Sequence, residues 1–151
     1  MADINEKSLK VAMERGADET VLWSRELGEE EAIEITKKAA IDGGFDGVID
    51  IVNSKITAER AFKSTHRGST LVMVGLYGGA ASFSLPQFVH GLRQVRGVLT
   101  GKINQLRELV DLAAHAQFSA PPMTFFKLED AFKAMCLIRD GKVQGRCIIK
   151  F

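Results

Sequence analysis

Two runs, Phe45-Asp46-Gly47-Val48-Ile49-Asp50-Ile51-Val52 and Thr70-Leu71-Val72-Met73-Val74, constrain the fold of this 151-residue chain more than any other feature. Both are β-branched and apolar over successive positions instead of alternating. That is the pattern of strands buried on both faces, and such strands belong to parallel sheets covered by helices. A short helix, about Thr57 to Ser64, links them. The same alternation continues on either side, so the expectation is an α/β fold built on a mainly parallel sheet with crossover helices.

Upstream, Asn5 is a helix N-cap before an apolar face of Leu9, Ala12 and Met13, and Gly16 closes the helix. Thr20 to Trp23 reads as a short strand. Ala32, Ile35, Ala39 and Ala40 fall three to four apart, which makes Glu29 to Ala40 an amphipathic helix broken by Gly43-Gly44. Downstream, the chain turns through Tyr77-Gly78-Gly79, crosses a loop containing Pro86 and reaches a strand over Arg96 to Thr100. A helix marked by Leu106, Leu109, Val110 and Ala113 follows. After Ala120-Pro121-Pro122 come a strand (Thr124 to Phe126), a helix carrying Leu128, Phe132 and Met135, and a last strand, Arg146 to Phe151.

The net charge of +1 leaves no basic footprint for nucleic acid or an anionic membrane surface. No apolar run approaches the ~20 residues that span a bilayer, and the start, Met1-Ala2-Asp3-Ile4-Asn5, is too polar for a secretory signal. Cys136 and Cys147 form neither a disulfide framework nor a zinc spacing. A soluble cytoplasmic protein, with no nucleic-acid or membrane partner, is the expectation.

Candidate chemistry is sparse. Asp3 ends a short first strand directly before a helix, where a carboxylate can accept hydrogen bonds from both hydroxyls of an adenosine ribose. The bland alternative is a helix cap or dipole partner. A G-x-G-x-x-G phosphate loop is absent, because Gly75, Gly78 and Gly79 have the wrong spacing. They form a turn at the C-terminal end of a strand, where such sheets bind ligands. His66, His90 and His115 are scattered through unrelated segments and read as surface or loop residues; Cys136, Cys147 and Trp23 read as packing. No metal set or catalytic residue can be named.

Taken in order, these segments resemble the medium-chain dehydrogenase family, particularly its zinc-type alcohol and polyol dehydrogenases. Asp3-Ile4-Asn5-Glu6-Lys7 through Arg15-Gly16-Ala17-Asp18 is similar to the family's second strand and helix. Phe45 to Asp50 is similar to the fourth strand, Arg67 to Leu76 to the fifth strand and its turn, Arg96-Gly97 to Gly101 to the sixth, and Asp140 to Arg146 to the closing motif. The resemblance implies a partial Rossmann-like, doubly wound parallel sheet lacking its first strand and phosphate loop. Residues 1–117 would be an incomplete dinucleotide-binding domain, and residues 118–151 a C-terminal segment that packs on an absent catalytic domain.

It also implies roles. Asp3 would hold the adenosine ribose and favour NAD over NADP. Val52 would line the adenine or ribose, Gly75 and Leu76 would lie against the nicotinamide and its ribose, Leu99 to Gly101 would meet the carboxamide, and Arg146 would contact the pyrophosphate. Zinc would belong to the missing domain only. Asn53 stands where the family usually has glycine, and Ser8 where lysine is frequent.

The implied function is the C-terminal cofactor-binding portion of an NAD-dependent, alcohol-dehydrogenase-like oxidoreductase, with weak residual NAD binding and no activity alone. The alternative is a non-catalytic module that pairs with a full-length dehydrogenase subunit, as homo- or hetero-oligomer, through the sixth-strand edge at Val95 to Leu99. An unrelated parallel-sheet enzyme such as a methyltransferase would tolerate Asp46 to Asp50 but leaves Gly145-Arg146 unexplained. With the central strand absent, the second and fourth strands lose their shared neighbour, and a marginal or rearranged fold, or dependence on a partner chain, is expected.

Overall fold

The computed structural model describes residues 1–115, 118 and 120–151. They form β1 (Ala2–Asp3), α1 (Glu6–Glu14), β2 (Val21–Leu22), α2 (Glu29–Lys38), β3 (Phe45–Asp50), α3 (Lys55–Lys63), β4 (Thr65–Met73), α4 (Leu85–Gly91), β5 (Gln94–Gly97), α5 (Ile103–Ala114), β6 (Met123–Lys127), a single 3-10 turn, α6 (Ala131–Arg139) and β7 (Arg146–Lys150). Every strand pair is parallel, as the unbroken apolar runs require. The strands fall into three ladders: β1-β2, β3-β4-β5 and β6-β7. Among the described residues no ladder joins β1 to β3.

Two compact units result, Met1–Thr100 and Gly101–Phe151. The boundary drawn from the sequence at 117/118 falls inside the second unit, and residues 116 and 117 lie outside the described residues.

In the first unit, α2 packs on β1 and β2 through Val21, Trp23 and Ala32, with Ala2, Leu27, Ile35 and Ala39 around them. The second core joins α3 to the three-stranded sheet. Ala61, Phe62 and Leu71 are buried there, and Val48, Met73, Phe83, Phe88 and Val95 close over them. The register aligns Val48 with Leu71 and Leu71 with Val95, so these three side chains share the helix-covered face. The pleat turns Ile49 to the other face, where it is 68% exposed.

The helices start where the sequence supplies caps. The Asn5 side chain accepts from Lys7 N. Ser54 and Thr57 form a reciprocal capping box at α3. Ser54→Ala should therefore cost about 1 kcal/mol, read as a lower urea midpoint with an unchanged slope.

Three boundaries differ from the sequence reading. The segment around Pro86, expected as a loop, contains α4: Pro86 lies in the first turn, where its missing N–H costs nothing, and Phe88 is drawn into the aromatic core. β4 begins at Thr65, five residues before the expected Thr70. β5 spans Gln94–Gly97 instead of Arg96 to Thr100, because Gln94 already pairs with Thr70 and Thr100 has φ +51°, incompatible with a strand.

In the second unit, β6 and β7 pair with Phe125 opposite Ile148 and Phe126 opposite Ile149. None of these four is buried; Phe125 is 53% exposed, with Lys150 Nζ 4.4 Å from its ring centre. Leu106 and Leu109 on α5 are exposed as well. The described chain exposes 11300 Å². Two separate compact bodies of these sizes would expose about 9,000 Å², so a surplus of uncovered surface belongs to the units themselves.

Candidate functional site

At the C-terminal ends of β1 and β3 the first unit opens into a cavity of about 790 Å³. Asp3, Ile4 and Trp23 border it on one side, Asp50, Ile51 and Val52 on the other, and Tyr77 and Gly78 reach it from the turn after β4. Lys55, Arg60 and Ala61 approach from α3.

Asp3 is half-buried at the end of β1. Its Oδ1 accepts from Asn5 N at 2.8 Å, and its carbonyl accepts from Trp23 N at 2.9 Å. The carboxylate thus shapes the turn into α1 and also borders the cavity. Trp23 is fixed by Nε1 donating to Thr36 Oγ1 at 2.8 Å. Arg60 stacks on the indole with its guanidinium 5.4 Å from the ring centre, while its Nε donates to Glu29 Oε2 at 2.9 Å. Arg60 is 8% exposed, and this charge-assisted pair is what lets a guanidinium sit there.

Asp50 builds the opposite rim. Its Oδ1 accepts from Val52 N at 3.0 Å and Asn53 N at 2.7 Å, which folds the chain back after β3. Its Oδ2 is buried and has no hydrogen-bond partner among the described residues. Asn53 takes φ +59°, and its Nδ2 donates to Gly75 O at 3.0 Å. That conformation accounts for the departure from glycine at this position: asparagine is among the few side chains that adopt it readily. Gly75 packs so tightly on Val52 that any Cβ would overlap the Val52 carbonyl. Its close approach is to its own chain.

Asp3 and Val52 therefore border one cavity, and Gly75 supports its rim from behind. Leu76 (86% exposed) and Leu99 (81% exposed) project from the first unit without burying their side chains. Gly101 and Arg146 belong to the second unit. Gly101 precedes α5, and a Cβ there would meet Gln105 at an ordinary 3.6 Å. Arg146 opens β7, its N–H donating to Pro122 O at 2.8 Å and its side chain exposed.

Arg60 and Asp50 were not singled out from the sequence. The available signals were an arginine in the middle of a helix otherwise suited to burial, and an acid ending an apolar strand directly before a turn. The two carboxylates whose ionisation is favoured, Glu26 by the Ser24 hydroxyl and Glu34 by Lys38, lie on the surface outside the cavity. Among the described residues no three His, Cys, Asp or Glu side chains are grouped to hold a metal ion, and no helix is long and apolar enough to cross a membrane.

The geometry can be set against known proteins. Residues 1–115 match a family model described as zinc-binding dehydrogenase. An NAD-dependent alcohol dehydrogenase of Sulfolobus acidocaldarius is 30% identical over 149 residues, which is 98% of this chain and 41% of that protein. An alcohol dehydrogenase of Geobacillus stearothermophilus is 29% identical over 153 residues, 98% of this chain and 42% of that protein. The chain thus spans about two fifths of the length of these relatives. Among solved structures, the alcohol dehydrogenase of Aeropyrum pernix superimposes with a TM-score of 0.86 at 26% identity, over 99% of this chain and 42% of that one. The benzyl alcohol dehydrogenase of Acinetobacter calcoaceticus, at 21% identity and a TM-score of 0.84 over 99% of this chain and 41% of that one, shares the fold. The parallel sheet is accordingly a partial Rossmann-like arrangement.

Proposed function

The chain belongs to the zinc-binding dehydrogenase family, and on that premise we propose that its first unit holds the adenosine side of NAD within an alcohol-dehydrogenase-like oxidoreductase. The observation that carries this reading is that Asp3 and Val52, from two different strand ends, border the same cavity at the C-terminal edge of parallel strands. Open sheets of this kind take nucleotides at that edge. Asp3 accepts from the two ribose hydroxyls, and its charge repels a 2′-phosphate, which selects NAD over NADP. Ile4, Ile51 and Val52 supply the apolar wall for the adenine, and Arg60 behind Trp23 keeps that wall rigid. Bound NAD would supply a hydride acceptor for an alcohol. By this reading the first unit carries only the cofactor-holding part of the reaction, and the 151-residue polypeptide by itself binds NAD weakly and turns over no alcohol. The described residues do not fit a zinc ion, since no three His, Cys, Asp or Glu side chains among them are grouped to hold one.

Calorimetric titration of the purified chain tests the site. NAD should bind weakly but saturably and NADP should not. Asp3→Ala should weaken NAD by about tenfold or more, since hydrogen bonds to a charged acceptor contribute about 1.5–3 kcal/mol each. NAD heats unaltered by the substitution would refute the assignment.

A second reading has its own observation. β5 is the outermost strand of its ladder, with Val98 and Leu99 exposed beyond it. Pairing there with another dehydrogenase subunit would make the chain an interaction module. Co-purification with such a subunit, in the absence of any NAD binding, would favour that alternative.

A further inference from the structure

The turn after β3 and the turn after β4 are fastened to one another. Where their ladder ends, Asp50 O accepts from Val74 N at 2.9 Å and from Gly75 N at 3.1 Å. Beyond the ladder, Asn53 Nδ2 donates to Gly75 O at 3.0 Å, and Tyr77 N donates to Val52 O at 3.1 Å. Asn53 makes its bond from a left-handed backbone, at φ +59°. Glycine takes the same backbone more easily but has no side-chain donor, so this tie needs the asparagine. The contact of Gly75 with Val52 leaves no slack between the two turns. Tyr77 is thus anchored at one end of its loop. Gly78 and Gly79 follow with φ +96° and +106°, and the loop is fastened again at Ser82, whose N–H donates to Glu59 Oε1 at 2.9 Å.

Tyr77 borders the same cavity as Asp3, Ile4 and Val52, yet it is 80% exposed. A ring left in water adds little to folding. On a pinned backbone it offers a ligand a flat, rigid face at small conformational cost. We propose that Tyr77 is a contact residue for the dinucleotide, its ring lying on the face of a bound base, and that Asn53 is the positioning residue that holds it there. The proposal rests on the nucleotide reading of this cavity and adds a further wall to it. Asp3 recognises the ribose through its charge, and Tyr77 contributes stacking, which any planar base accepts. Discrimination between NAD and NADP stays with Asp3, and Tyr77 raises the affinity for both alike. The phenol hydroxyl has no part in the contact. Asn53 touches no ligand and acts through the Gly75 carbonyl, which sets where the Tyr77 ring stands.

The chain has one tyrosine and one tryptophan. The Tyr77 ring therefore gives a single set of NMR resonances, and the fluorescence of Trp23, on the cavity's other side, reads the affinity for NAD. Saturating NAD should move the Tyr77 ring resonances upfield, as stacking on a base does. Tyr77→Ala should weaken NAD by about tenfold, and Tyr77→Phe by less than about twofold. Asn53→Gly keeps the backbone of the turn and should weaken NAD by about threefold, through lost preorganisation. In the Tyr77→Ala background it should have no further effect, because it acts through that ring. The same loss in both backgrounds would make Asn53 merely structural and overturn its positioning role. Ring resonances unmoved by NAD, or an affinity indifferent to Tyr77→Ala, would overturn the proposal, and binding still weakened by Asp3→Ala would then leave the nucleotide reading standing. A wild-type chain that binds no NAD would overturn both.

Discussion

Replacing Phe62 with alanine should cost the first unit about 3–5 kcal/mol. The ring is 1% exposed and sits where three elements meet. Its centre lies 4.8 Å from Phe83 and 4.9 Å from Phe88, with the Arg93 guanidinium 5.2 Å over its face. Arg93 in turn donates through its Nη2 to Thr65 O at 2.7 Å. Removing the ring therefore leaves a cavity under α4 and also withdraws the surface that holds Arg93 against β4. Domain stabilities total only about 5–15 kcal/mol, and this unit has an uncovered sheet face, so the variant should lose most of its cooperative urea transition by circular dichroism. A loss below about 1 kcal/mol would mean that the aromatic cluster is not the core of this unit.

Gly75→Ala is the second large effect, and it acts through the backbone. The added methyl overlaps the Val52 carbonyl and approaches Ile51 O, neither of which can rotate away as a side chain would. Relief requires the 51–53 turn to move. That movement breaks the Asn53 Nδ2 bond to Gly75 O and the Tyr77 N bond to Val52 O. The expected cost is about 2–4 kcal/mol, an overpacking penalty plus lost hydrogen bonds. Gly97→Ala is the matched control, because a Cβ there meets nothing within 4 Å. Equal stability of the two variants, compared by thermal denaturation, would show that the approach of Gly75 to Val52 is not fixed.

What the sequence disclosed followed from periodicity. Strands β3 and β4 were legible because Val48-Ile49 and Leu71-Val72 need cover on both faces, and α1 and α3 were legible from caps and spacing. The helix at Leu85–Gly91 was hidden because proline and glycine frame it, and only the tertiary pull of Phe88 toward Phe62 fixes it. Asp3 and Val52 lie 49 positions apart, and no spacing rule brings them to one cavity; the family resemblance named them, and the fold of the first unit sets the ends of β1 and β3 on the same cavity. Asp50 and Arg60 escaped notice for the opposite reason. Each looks like an ordinary strand or helix charge until the fold buries it against Val52 N or Trp23. Arg146 and Gly101 stand in the second unit, where their own neighbours are Pro122 and Gln105.

Backbone amide chemical shifts recorded during an NAD titration of the chain test the central claim most directly, since they locate the ligand without assuming any contact. The strand-end site predicts that the largest shifts fall on Ile4, Trp23, Val52, Tyr77 and Gly78, which border the cavity with Asp3. Shifts centred instead on Asp18, Asp42 and His66, around the cavity at the strand beginnings, would contradict it.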